Sequence, residues 1–279
     1  MADELNLNIP LRKSRAMTSE AARRVKLAGH EAETEFAALI GGQKYPGSRK
    51  KDVIDAQGNI HSVKAGDNKW QIFLYSPTRF RESIGFWGAP FFSACLAVFP
   101  DKYSDYLLNK AKVKLELQQC MIALKDFLSS TNPFFMHSNK LVFLQEALFH
   151  SSEVDYLTIK IGDTFHIFDS LEVIKVIDAA TLLENSKAIK AGDTDCLKVL
   201  FKVKDIGLTK DKNITIGEIE IRTDEKNYRL VKFWMGREIT LRFLQDKIGK
   251  PKQKAERVVA YGKAGIRFKS IPKIAQVML

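Results

Sequence analysis

Residues 52–64, DVIDAQGNIHSVK, decide how this chain is read. Two short runs rich in β-branched residues flank the turn-forming Gln57-Gly58-Asn59, which spells a β-hairpin. Side chains alternate along the second strand, so Ser62 and Lys64 share one face and His61 takes the other. Asp52, at the start of the first strand, can lie across the hairpin close to the Ser62–Lys64 face. Asp55 is a rival carboxylate, but it falls on the opposite strand face and nearer the turn.

Upstream, Thr18 with Glu20 caps a helix through AARRVKLAG, and HEAETEFAALI gives a second helical pattern. Ala32, Phe36, Leu39 and Ile40 form its apolar stripe, with Glu31, Glu33 and Glu35 beside it, and Gly41-Gly42 ends it. The loop QKYPGSRKK then brings Arg49, Lys50 and Lys51 up to Asp52. Downstream, WQIFLY is a buried segment that fits strand or helix and contains Gln71. The apolar run FWGAPFFSACLAVFP (86–100) reads as a buried strand or core segment. Residues 112–130 have helical periodicity, and 141–149 fit a helix or a strand.

Past residue 150 the texture turns to strands: YLTIKIG, TFHIFD, VLFKVK, ITIGEIEIR and NYRLVKFWM, followed by the helix EITLRFLQDKI. The order is mixed α and β without regular alternation, and no linker or repeat marks a boundary. The expectation is one domain over 1–279, a central mixed sheet flanked by helices. A core at about 18–150 would be followed by a C-terminal part, about 151–279, for recognition or dimerisation.

The chain has 279 residues, 45% of them apolar and 28% charged, an ordinary globular composition that excludes a disordered chain. Its net charge of +11 favours a polyanionic partner. Cys95, Cys120 and Cys196 stand far apart with no CxxC and no His pair at metal spacing, which fits a reducing cytosol. No secretory signal is read at the start, and 86–100 is too short to span a bilayer and contains Pro90. A soluble, cytoplasmic protein without a membrane partner is expected.

A carboxylate, a second polar group and a lysine meeting at one sheet edge suit phosphodiester chemistry, with oxygen ligands for Mg²⁺ and a lysine beside the nucleophile. In its α-β-β unit, with Asp52, the triplet Ser62-Val63-Lys64 and the trailing Gln71, the chain resembles the PD-(D/E)xK nuclease superfamily, most of all type II restriction endonucleases. The resemblance covers roughly residues 29–75. It implies that Asp52 binds the metal, that Lys64 is the catalytic lysine and that Gln71 is the glutamine which often follows it. Ser62 departs from the pattern, where Asp or Glu is expected. Some restriction enzymes with a Ser-x-Lys version of the motif, which this chain resembles, recruit the second carboxylate from a helix elsewhere, and Glu33 or Glu35 on the preceding helix and Glu82 downstream are the candidates here.

The implied activity is Mg²⁺-dependent, sequence-specific cleavage of double-stranded DNA by a homodimer acting on a palindrome. Arg49, Lys50 and Lys51 are placed to meet phosphates. Further basic sets are Arg12, Lys13, Arg15, Arg23, Arg24 and Lys26 near the start, and Lys250, Lys252, Lys254, Arg257, Arg267 and Lys269 near the end. Glu218, Glu220 and Arg222 share a strand face and imitate an acid-x-basic triplet, which the wet face of an antiparallel strand also explains. His30 and His61 read as structural, and Phe233, Trp234 and Met235 as core.

Overall fold

The computed structural model describes residues 19–47, 51–66, 69–82, 88–131, 137–190, 193–204 and 213–265. One helix, α1 (Ser19–Ile40), replaces the two that the sequence spacing predicts. Gly29, at the expected break, costs a helix only about 1 kcal/mol against alanine. Burial of Ala32, Phe36, Ala37 and Ile40 outweighs that cost. Gly41 (φ 63) ends the helix in the left-handed region.

Three short strands follow: β1 (Gln43–Lys44), β2 (Val53–Ile54) and β3 (Ile60–Lys64). β2 and β3 form the expected hairpin, pairing Val53 with His61 and Ile54 with Ile60. Gly58 (φ 89) supplies the positive φ at its turn. The segment left open between strand and helix is strand β4 (Lys69–Tyr75).

Helices fill the middle of the chain: α2 (Pro77–Glu82), α3 (Ala89–Ala97), α4 (Tyr103–Leu108), α5 (Lys110–Ser129) and α6 (Asn139–Phe149). The stretch 86–100 is therefore helical at its centre and not a strand. Pro90 lies in the first turn of α3, where no backbone N–H is needed, while Phe92, Cys95 and Leu96 are buried. Then come β5 (Tyr156–Ile161), β6 (Thr164–Asp169), α7 (Ser170–Ala180) and β7 (Thr181–Asn185). The chain continues with β8 (Lys198–Lys204), β9 (Asn213–Ile221), β10 (Val231–Gly236), α8 (Arg237–Ile248), β11 (Pro251–Ala255) and β12 (Val258–Tyr261).

The fold is mixed α/β with two sheets in place of one. The first is mixed, in the order β1-β2-β3-β5-β6-β12-β11, with β3 parallel to β5 and β6 parallel to β12. The second, β4-β10-β9-β8-β7, is antiparallel throughout. The first sheet thus draws strands from both sides of residue 150. One core joins the sheets: Leu157, Ile159 and Phe168 from the first, Phe73, Phe201 and Phe233 from the second, with α5, α6, α7 and α8 between. α1 covers the other face of the first sheet, where Phe36 and Ile40 pack with Val53, Val63, Phe165 and Ile167. Among the described residues no helix is long and apolar enough to cross a membrane.

Candidate active site

Alternation along β3 divides its side chains between the two faces of the sheet. Val63 packs under α1 and His61 meets the Phe36 ring there, so Ser62 and Lys64 point to the opposite face. Val53 also packs under α1, which turns its neighbour Asp52 to the Ser62–Lys64 side. The three polar residues meet. Lys64 Nζ donates to Ser62 Oγ at 2.6 Å and to Asp52 Oδ2 at 3.3 Å. Asp52 Oδ2 also accepts from the Val63 N–H at 2.7 Å and from Ser62 Oγ at 3.3 Å.

Ser62 is fully buried, while the Asp52 and Lys64 side chains keep 17% and 20% exposure. A buried hydroxyl thus anchors a carboxylate and an ammonium that both reach solvent. The two short bonds, Lys64 Nζ to Ser62 Oγ and the Val63 N–H to Asp52 Oδ2, have the length of charge-assisted hydrogen bonds, while the two at 3.3 Å are looser.

The hairpin that aims Asp52 is locked from below. Asp55 caps its turn, accepting from the N–H groups of Gln57 and Asn59 at 2.9 Å each and from Asn59 Nδ2 at 2.8 Å. Burial alone would raise this carboxyl, but His61, Asn59 and the turn amides outweigh it and bring it down to about 2. His61 is wholly buried with Nδ1 3.0 Å from Thr158 Oγ1 and Nε2 3.7 Å from Asp55 Oδ2. Its burial pushes the imidazole below its usual range, against the pull of Asp55. Asp55 and His61 are therefore the scaffold of the hairpin. From just before β5, Asp155 Oδ2 accepts the Ile60 N–H at 2.7 Å.

The other carboxylates expected at this site lie elsewhere. Glu35 is paired with Lys160, at 2.5 Å, and with Arg257. Glu33 is 3.1 Å from both Lys44 Nζ and His30 Nδ1. Both belong to α1, so the sheet separates them from the face that carries Asp52. Glu82 is exposed at the end of α2. Among the described residues no three His, Cys, Asp or Glu side chains form a group able to hold a metal. Asp52 is the one carboxylate that Ser62 and Lys64 contact among the described residues. Mg²⁺ is commonly held by one or two carboxylates, with waters and substrate phosphates completing its shell, and Asp52 supplies one such solvent-reaching carboxylate.

Of the residues expected to meet DNA, Lys51 lies beside Asp52 and pairs with Glu153 at 2.9 Å. Arg49 and Lys50 fall outside the described residues, as do Arg12, Lys13, Arg15, Arg267 and Lys269. Gln71 is exposed on β4, in the second sheet, opposite Trp234 of β10. The second acid cluster is an ion-pair lattice. Lys198 joins Glu218 at 2.6 Å and Glu220 at 3.2 Å, and Glu220 also meets Arg222 at 2.9 Å. Burial would raise the Glu220 carboxyl, but Lys198, Arg222 and Lys232 hold it below the usual range.

Trp234 departs from the expected core. Phe233 and Met235 are buried, whereas Trp234 alternates to the outer face, and the Lys69 ammonium sits 3.7 Å from its ring centre. Strict alternation along KFWMG was the signal that separates it from its neighbours.

No protein-family model matches the chain, and no curated protein or solved structure is significantly similar to it.

Proposed function

We propose that the chain is a Mg²⁺-dependent DNA endonuclease of the type II restriction kind, built on a PD-(D/E)xK-like core. One observation carries the reading: Asp52, at the entry to the hairpin, and Ser62 and Lys64, on its second strand, close into one mostly buried cluster that reaches solvent, with Lys64 Nζ 3.3 Å from Asp52 Oδ2. The mixed sheet flanked by helices and the charge of +11 support it.

In this reading Asp52 holds the ion, with Oδ2 oriented by the Val63 N–H and Ser62. The chemistry that Mg²⁺ supplies when bound is neutralisation of phosphate charge and nucleophilic water at neutral pH. Lys64 donates to the attacking water or to a phosphate oxygen, and Ser62 fixes its ammonium on the strand face. Lys51 offers charge to the flanking phosphate once DNA displaces Glu153. A homodimer would present two such clusters to the two strands of a palindrome.

The test is digestion of phage DNA with Mg²⁺ and sequencing of the product ends. Discrete bands with one common end sequence support the reading, whereas smeared or junction-dependent products turn it toward a structure-selective repair nuclease. A second reading, a non-catalytic DNA-binding protein on the same core, is favoured by Ser62 at the acid position and by the ion pairing of Glu33 and Glu35 elsewhere. Salt-sensitive DNA binding with no cleavage under any divalent metal would select it.

A further inference from the structure

An open pocket of about 490 Å³ lies against the second sheet, and none of Asp52, Ser62 and Lys64 lines it. Its wall combines Trp234 and Leu200 with Lys69, Lys114 and the Lys198–Glu218 pair. Four lysines stand in the lining against two acids, Asp193 and Glu218. Glu218 is buried and neutralised by Lys198, while Lys69 and Lys114 have no carboxylate partner among the described residues. The aromatic face of Trp234, the half-buried Leu197 and Leu200 and ammonium groups without a carboxylate partner match a ligand with a planar ring and a phosphate. That ligand is a nucleotide.

Chain geometry ties the pocket to the proposed DNA path. Lys69 is five residues beyond Lys64. The span between them is at most about 18 Å at the reach of an extended chain. One DNA strand advances about 3.4 Å per nucleotide, so a strand lying on Lys64 reaches Lys69 within roughly five nucleotides.

We propose that this pocket takes up one unstacked nucleotide of a DNA strand, its base against Trp234 and its phosphate on Lys69 and Lys114. The choice of a DNA strand over a free nucleotide rests on the hydrolytic reading of Asp52 and Lys64. Lys69, whose ammonium now lies over the indole, exchanges this cation–π contact for the incoming phosphate as the base takes the ring face. The base pays for its unstacking with the contact to Trp234.

The experiment measures binding of the full chain to a fluorescein-labelled single-stranded 12-mer, and to a duplex carrying 2-aminopurine at each position in turn, without divalent metal. Trp234→Leu and the double variant Lys69→Ala/Lys114→Ala should each weaken binding by about tenfold. Lys112→Ala, an exposed lysine on α5 outside the pocket, should bind as wild type. In the duplex, 2-aminopurine emission should change at one position on binding, and this change should be lost in the lysine variant. Wild-type affinity and an unchanged signal in the lysine variant, or no oligonucleotide binding by the wild type, overturns the pocket. Cleavage run in parallel separates the two claims. Intact DNA under every divalent metal with pocket-dependent binding removes the nuclease reading and keeps the pocket. Normal cutting with pocket-independent binding does the reverse.

Discussion

Lys64 Nζ lies 2.6 Å from the buried Oγ of Ser62, closer than the 3.3 Å that separates it from Asp52 Oδ2. Ser62 is therefore a holder of the lysine. Ser62→Ala removes this bond and leaves Lys64 to Asp52 and to the Val63 carbonyl oxygen at 3.3 Å. Loss of one charge-assisted bond should slow DNA cutting by about tenfold while DNA affinity stays unchanged. A wild-type rate in single-turnover cleavage would remove Ser62 from the site.

Glu35 has a different place in the molecule. Its pairs with Lys160 of β5 and Arg257, just before β12, tie α1 to the first sheet. Glu35→Gln should cost about 1 kcal/mol, a fall of a few degrees in Tm, and leave cutting in place. Lost cutting at an unchanged Tm would instead make Glu35 a ligand of the ion.

Gly42 controls how closely α1 approaches the hairpin. A Cβ there would run into the carbonyl oxygen of Ile54 and sit 3.2 Å from the Asp55 Cα. Both are backbone atoms that no rotamer change relieves. Gly42→Ala should destabilise the chain by about 1–3 kcal/mol, read as a lower denaturant midpoint. An unchanged midpoint would mean that the helix and hairpin do not meet there.

Stability should fall with acid in two stages. His61 is held neutral by burial, so the unfolded chain takes up a proton below about pH 6.5 that the folded chain refuses. Stability from this residue is present above that pH and lost below it. Asp55 titrates at about 2 folded against 3.8 unfolded, so its contribution, about 2 kcal/mol, is present above 3.8 and lost as pH falls toward 2. Thermal melts from pH 7.5 to 5 should show the first loss, and His61→Gln should make it shallower, with His166, also pushed down by burial, carrying part of the remainder. Equal slopes in both proteins would contradict the assignment.

The cluster was legible in the sequence because its geometry is local. A period of two and one tight turn suffice to bring Asp52, Ser62 and Lys64 to one face. The surroundings were less legible because they are made by distant chain. Helical spacing places Glu33 and Glu35 beside the stripe of α1, but does not say which sheet face that stripe covers. The partners of Glu35 are 125 and 222 residues away. VVAY in β12 is four residues within a basic tail, and only its parallel pairing with β6 makes it a strand of the first sheet. In 86–100 apolar content hid a helix whose first turn accommodates Pro90.

The central claim is that Asp52 and Lys64 carry metal-dependent DNA hydrolysis. It is tested most directly by incubating phage DNA with Mg²⁺ and the wild type, Asp52→Asn or Lys64→Ala, each first matched in Tm and DNA affinity. The account predicts discrete fragments with the wild type and intact DNA with both variants. Cutting by either variant at the wild-type rate would contradict it.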